Sequence, residues 1–412
     1  MAARRPPLFR VKEGRCTANH ARCGILSAVL LVCLVGFILL QSLSEPEVAR
    51  GIQQRSINRN NAAAPATTKF ATAPRRINPV TTSPMREVQV RSTETTRRSD
   101  KFGVVGKLYQ RLFPKGSRKY ETGNTVANEY DAWTADGILE HYWGEHIHLG
   151  YYTPEEIKKG YKRKNFIGAK YDFIDKMVEW SGILDLPPGP KKVLDVGCGF
   201  GGATRYLAKN YFQDGGTVTG ITISPNQIKR AKELAEIQSV PNAQFELKDA
   251  LKMDYPDNSF DVVWAIESGE HMPSKTKYVE EMSRVLKPGG VLVFATWCQR
   301  DSPPIFSQEE KNELQFLYDE WAHPHFVSIN TYKKIMRATG KLEVVDSDDW
   351  NKYTLPSWRH SIWVGVYDPW IVLRKPWTWK KCLRDGITLE RMHRAFKKGL
   401  MQYGMLKAVK KA

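Results

Sequence analysis

The 412-residue chain is 42% hydrophobic and 26% charged, enough apolar content to fold around a substantial core. Its net charge of +18 is uneven: residues 1–100 carry 16 Lys and Arg against 6 Asp and Glu, a balance of +10, and the remaining residues carry 46 against 38, a balance of +8. That asymmetry describes a basic leader rather than a basic nucleic-acid-binding face. Six cysteines (Cys16, Cys23, Cys33, Cys198, Cys298, Cys382) form no CxxC pair and nine histidines no HxxxH pattern, so neither a disulfide framework nor a metal site is expected.

Residues 23–44 are uncharged and contain a 17-residue apolar run from Gly24 to Leu40. That is the short edge of a membrane span, which needs about 20 residues, and long for a signal-peptide core. Arg4, Arg5, Arg10, Lys12, Arg15 and Arg22 precede it and Glu45 and Glu47 follow, the polarity of a signal or anchor whose N-terminus stays in the cytosol. A hydrophobic segment is therefore placed at 24–41; a buried core helix is the plainer alternative. Residues 48–100 are rich in Arg, Ser, Thr, Asn, Ala and Pro and poor in aromatics. Such a stretch cannot bury enough apolar surface to fold, and reads as a transit peptide or as a stalk between an anchor and an enzyme. Residues 1–100 together resemble the two-part leaders of algae with complex plastids, which implies a plastid membrane or its surface; the alternative is a single-pass membrane protein of the secretory pathway.

Ordered sequence is expected over 101–412. From about Pro190 strand and helix patterns alternate, which predicts an α/β fold with a doubly wound, mostly parallel sheet. Strands are expected at 191–197, 217–223, 244–248, 260–266 and 291–297. Helices are expected over Ala203 to Asn210, Pro225 to Gln238 and Lys275 to Leu286, with Lys287-Pro288-Gly289-Gly290 turning into the fifth strand. The first strand runs into Gly197-Cys198-Gly199-Phe200-Gly201-Gly202. Glycines at the carboxyl end of such a strand let the backbone approach a ligand. A dinucleotide site would want GxGxxG and an acid about 20 residues on. Here Asp195 precedes a GxGxGG turn, and the second strand ends in Ile221-Thr222-Ile223-Ser224 with no acid, so a dinucleotide enzyme is disfavoured.

Four stretches in order, LDVGCGFG (194–201), Lys248-Asp249-Ala250, YPDNSFDVVWAIES (255–268) and RVLKPGGVLV (284–293), resemble the motifs of class I S-adenosylmethionine-dependent methyltransferases. The resemblance implies a Rossmann-like seven-stranded sheet, S-adenosyl-L-methionine as cofactor, and Asp195, Gly197, Cys198, Gly199, Gly201, Thr222, Ile223, Gln227, Asp249, Ala250 and Ile266 around it. Gly197, Gly199 and Gly201 would contact the methionine and ribose, and Asp249 the adenine amino group. Thr222 stands where the family carries its ribose-binding acid, leaving that contact to Thr222, Ser224 or Gln227. IESG replaces the DPPY or NPPY signature of nucleic-acid methylation, so no nucleic-acid partner is expected.

Further stretches narrow the family: YDAWTADGILEHYWGEHIHLGYY (130–152), TISPNQIKRAKELA (222–235), IESGEHMPSK (266–275), LPSWRHSIW (355–363) and TLERMHRAFKKGLMQYGMLKA (388–408). From about Tyr130 onward the chain closely resembles the γ-tocopherol methyltransferases of cyanobacteria and plastids. The resemblance implies methylation of a ring carbon of the tocopherol chromanol; the alternative acceptors are methyl-phytyl-benzoquinol, a sterol or a small-molecule nitrogen. It also implies a lipophilic phenolic substrate and contact with a membrane. A phenolate pushes electron density onto its ortho carbon, so the chemistry needs a base near the hydroxyl and in-line placement. His146, His148 and His271 are the candidates, with Glu145, Glu267 and Glu270 as orienters. His271, with Glu267 beside the cofactor, is preferred and His146 is held in reserve; a His271 that merely orients a loop is the plainer reading. Tyr142, Trp143 and Trp264 offer faces for a sulfonium, or are core. Seven of the twelve tryptophans fall in 321–379, within a C-terminal stretch (about 300–412) expected to cap the sheet edge as an apolar wall, or to pack as core. A binding protein that lost catalysis is the rival of another class, and Asp195, Gly197, Gly199 and Asp249 argue against it.

Overall fold

Uninterrupted apolar runs predict strands covered on both faces, and the computed structural model, which describes residues 120, 121 and 123–412, bears this out. The expected leader, its segment at 24–41 and the boundary at 101 lie outside the described residues. Helices α1 (Gly123–Ala135), α2 (Ile138–Trp143), α3 (Pro154–Gly160) and α4 (Gly168–Ser181) lead into β1 (Lys192–Val196) and α5 (Gly202–Asn210). Then come β2 (Thr217–Thr222), α6 (Pro225–Ile237), β3 (Ala243–Leu247), β4 (Phe260–Ile266), α7 (Lys275–Val285) and β5 (Leu286–Gln299). The remainder is α8 (Gln308–Trp321), α9 (Ile329–Ala338), β6 (Leu342–Asp349), α10 (Asn351–Tyr367), α11 (Trp370–Leu373), α12 (Trp379–Lys397) and β7 (Met401–Lys410).

The seven strands form one sheet in the order β3-β2-β1-β4-β5-β7-β6. β1 to β5 pair in parallel, with Leu194 level with Thr219 and Val263, and β7 runs antiparallel to both β5 and β6. Strand order reverses between β1 and β4, the point at which such sheets open a crevice at their carboxyl ends. Alternation divides the core. Val193, Val262 and Trp264 face α4, α5 and the C-terminal helices, whereas Leu194, Val196 and Val263 face α7 and α9.

Most element boundaries lie within one residue of expectation, and the largest shift is at the start of β5. β3 starts one residue earlier than 244–248. β5 starts at Leu286, so the Lys287–Gly290 turn is an excursion within it, between the pairs Phe260–Leu286 and Val262–Val291, with Gly289 at φ 74°. The stretch 300–412 is also more than a cap, because it supplies β6 and β7 to the sheet. Its tryptophans divide: Trp350 and Trp358 are buried, whereas Trp370 and Trp377 face solvent. Among the described residues no helix is long and apolar enough to cross a membrane.

Candidate active site

A cavity of about 370 Å³ opens where β1, β2 and β4 end. Its floor is the glycine turn. Gly197 (φ 88°) donates its N–H to Ile221 O at 2.9 Å, and a Cβ there would lie 2.4 Å from Ser268 Cβ. At Gly199 (φ 56°) the nearest atom to a Cβ would be Ile147 Cδ1 at 3.5 Å, so this residue is the open part of the turn. Gly201 departs from expectation, since it does not line the cavity. It is left-handed (φ 74°) to cap α5, and a Cβ would meet Phe245 Cε1 at 2.2 Å, so its constraint is packing.

Asp195, Gly197, Cys198, Gly199, Thr222, Ile223, Gln227, Asp249, Ala250 and Ile266 all line the cavity, as do Glu267, His271 and His146. Asp195 accepts the Thr204 hydroxyl at 2.7 Å, and burial pushes its carboxyl up to about 7. Thr222 Oγ1 donates to Gln227 Oε1 at 2.8 Å, which leaves the buried Gln227 Nε2 without a partner. Ser224 is otherwise engaged: it caps α6 and bonds Asp131 of α1. Asp249 accepts the Leu251 N–H at 2.8 Å on Oδ1. A close-approach turn, a spare amide donor and a rim carboxylate suit a cofactor bearing an amino acid and a nucleoside. Among the described residues no group of three or more His, Cys, Asp and Glu side chains could hold a metal ion.

The roof comes from far upstream. Val126, Ala127 and Tyr130 of α1 and residues 145–148 close the cavity. The Arg205 guanidinium, 2% exposed, pairs with Glu145 at 2.5 Å while also donating to Phe200 O and Ala231 O. Tyr130 Oη lies 2.9 Å from His271 Nε2. His146 Nδ1 and His148 Nε2 are buried without partners, and burial pushes both imidazoles well below their usual range.

Beside the turn, Glu267 follows β4 with a left-handed φ of 49°, unusual for a non-glycine residue. Its Oε1 accepts the Leu149 N–H and the Tyr403 hydroxyl, each at 2.7 Å. Enclosure away from water, and then neighbouring Glu270, push this carboxyl well above the usual carboxylate range. His271 is pushed the other way, down to about 3, by burial and by Lys275, so it is a neutral imidazole at neutral pH. Its Nδ1 is buried without a partner, and its ring packs 4.4 Å from that of His323. Lys275 Nζ donates to Gly269 O, Glu270 O and Met272 O, fixing the loop that carries His271.

The aromatic faces offered either for a sulfonium or as core lie away from the cavity. Tyr142 donates to Asp368 O, Trp143 packs on Phe166 under Lys170, and Trp264 is fully buried in β4. Among the described side chains no tryptophan lines the cavity, and nothing beyond Pro273 does. Sequence reasoning missed Tyr130, Val126 and Ala127; the one available signal was that Tyr130 opens the YDAWTADG stretch.

A family model described as a methyltransferase domain matches residues 189–350. The geranyl diphosphate C-methyltransferase of Streptomyces coelicolor A3(2), solved with Mg2+, geranyl diphosphate and S-adenosyl-L-homocysteine, shares the fold at 18% identity with a TM-score of 0.54, covering 70% of this chain and 97% of that one. Fold and cavity together thus define a class I S-adenosylmethionine-dependent methyltransferase. The 2-methyl-6-phytyl-1,4-hydroquinone methyltransferase of Synechocystis is 46% identical over 306 residues, 73% of this chain and 92% of its own. The chloroplastic tocopherol O-methyltransferase of Arabidopsis thaliana is 33% identical over 290 residues, 66% of this chain and 78% of its own. The chain belongs to the methyltransferase family that contains these two enzymes.

Proposed function

We propose that this enzyme methylates a prenylated hydroquinone of the 2-methyl-6-phytyl-1,4-hydroquinone type on the ring carbon beside a hydroxyl. The observation that carries the reading is the 46% identity to the Synechocystis enzyme across 92% of that protein. γ-Tocopherol, the acceptor expected from the sequence, is the second reading, favoured by the 33% identity to the Arabidopsis enzyme. The plastid is the proposed location, since that relative is chloroplastic by name, and a lipophilic acceptor argues for contact with a membrane.

Bound S-adenosylmethionine supplies an electrophilic methyl on a sulfonium. The protein's own part is to bring the acceptor ring in line and to take its hydroxyl proton. The base expected from the sequence was His271. Its proton affinity is so depressed that taking a proton from a phenol would be steeply uphill, and its Nε2 already faces Tyr130. We therefore assign the proton to Glu267, whose carboxyl is raised toward neutrality and held from behind by Leu149 N–H and Tyr403. Tyr130 and His271 act as the positioning pair.

The test is a panel. The full chain is incubated with labelled donor and, in turn, 2-methyl-6-phytyl-1,4-hydroquinone, γ-tocopherol, a sterol and a small amine. The highest kcat/KM is expected on the hydroquinone, with both product hydroxyls still free. A product blocked at oxygen would overturn the ring-carbon assignment, and preference for γ-tocopherol would move the enzyme to the second reading.

A further inference from the structure

Three large aromatic side chains stay in water on one short stretch: Tyr367 is 61% exposed, Trp370 63% and Trp377 76%. They come from the end of α10, from α11 and from the 3-10 turn Pro376–Thr378 that follows. None lines the cavity and none belongs to a core cluster. The surface around them is basic. Arg374 is exposed between the two tryptophans. Lys162 Nζ lies 4.0 Å from the ring centroid of Trp363, whose ring lies 5.5 Å from that of Tyr367. That contact brings the KKGYKRK stretch (158–164) alongside, with Lys158, Lys159, Lys162 and Arg163 exposed. Acids nearby are mostly engaged: Glu156 and Asp172 by Lys164, Asp368 by His141 and Asp136 by Lys381, with Glu155 left exposed.

Tryptophan and tyrosine prefer the boundary between water and lipid, where an apolar ring and a polar edge are both satisfied. Lysine and arginine beside them are drawn to anionic headgroups. The aromatic-plus-basic combination thus specifies an occupant by charge as well as by polarity.

The patch is also joined to the active site. His141 Nε2 lies 2.8 Å from Asp368 Oδ2, Tyr142 donates to Asp368 O, and Lys375 Nζ donates to Asp136 O. Asp136 directly follows α1, the helix that roofs the cavity. We infer that the surface formed by Tyr367, Trp370, Arg374, Trp377 and the 158–163 bases docks on an anionic lipid bilayer, seating the roof helix of the cavity beside the membrane. The inference extends the lipophilic-acceptor reading above by naming the face through which the enzyme meets lipid.

The experiment is hydrogen exchange on the full chain, followed by mass spectrometry, with vesicles that contain no acceptor. One set is pure phosphatidylcholine; the other has phosphatidylglycerol as about one third of its lipid. Peptides covering 367–381 and 158–164 are expected to exchange more slowly on the anionic vesicles than on the neutral ones. Arg374→Ala and Lys159→Ala are each expected to weaken that protection about five-fold in vesicle concentration. Trp370→Ser with Trp377→Ser should abolish it while exchange in the sheet stays unchanged. Local protection is the readout because residues 24–41 could hold the chain on any vesicle. A chain that floats with anionic vesicles yet leaves 367–381 unprotected would overturn the inference. So would protection that grows with protein concentration without vesicles, which would make the patch an interface between copies. Failure of the acceptor panel leaves this result standing, since no acceptor is present.

Discussion

The floor and the roof of the cavity are built on different principles. The floor is the ends of β1, β2 and β4, where each residue is fixed by the parallel register of its strand and by bonds between neighbouring strand ends such as Gly197 N–H to Ile221 O. The roof is assembled from α1 and residues 145–148, and a few long-range polar contacts hold it: Glu145 to Arg205, Asp131 to Ser224, Tyr130 to His271, and Leu149 N–H to Glu267. A substitution in the floor's glycine turn should therefore act through geometry and abolish binding, whereas a roof substitution should act through one contact and weaken it.

The largest effect should come from Gly197→Val. The positive φ and the 2.4 Å approach to Ser268 leave no room for a branched side chain, and donor affinity by calorimetry should fall at least ~10³-fold. Ordinary affinity would mean that the turn is not the binding surface. Glu267→Gln comes next, with kcat down by about 10²–10⁴-fold and donor affinity little changed. If His271→Ala shows the larger loss, recovering in part at high pH, the base is the imidazole after all.

Asp195 bears on the floor's stability. Its carboxyl titrates near 7 when folded, against an ordinary value of 3.8, so its contribution is fully present below the unfolded value and is lost as pH rises through about 7. Asp195→Asn should flatten the fall in urea midpoint across that window, an effect of order a few kcal/mol; an unchanged profile would place the ionisation elsewhere. In the roof, Glu145→Gln leaves the buried Arg205 short of its anion and should cost about 2–3 kcal/mol, seen as a Tm several degrees lower. Tyr130→Phe should be mildest, about 1 kcal/mol and less than ten-fold in kcat/KM; a collapse of donor binding would give its hydroxyl a larger part than orienting His271.

The same division decides what could be read in advance. Floor residues are legible because one strand end and its turn are contiguous in sequence, so Asp195, Gly197, Cys198 and Gly199 fall on the cavity together. Gly201 failed because a glycine needed for ligand approach and one needed against Phe245 look alike in a one-dimensional pattern. Tyr130 was invisible because its meeting with His271 spans 141 positions. The tryptophans after β5 carry two readings, an apolar wall or core packing, and composition does not choose between them. Aromatic content says that area will be covered by something, and here the cover divides between core, as at Trp350 and Trp358, and the outer surface, as at Trp370 and Trp377. The depressed His271 was equally unreadable, since it depends on enclosure and on Lys275.

One feature of the sheet separates the order in which the chain is made from the order in which it is assembled. β7 is synthesised after β6 but lies between β6 and β5, so neither edge can close until β7 emerges from the ribosome. β7 also carries Tyr403, one of the two donors that hold Glu267. A nascent chain can therefore complete its glycine turn more than two hundred residues before it can clamp the Glu267 carboxylate. With Glu267 as the base proposed above, competence for transfer then arrives in one late step of translation, when the strand inserts. Chains stalled before Met401, and chains stalled on a C-terminal linker long enough to bring Lys410 clear of the exit tunnel, would show this as donor binding in both sets and turnover only in the second.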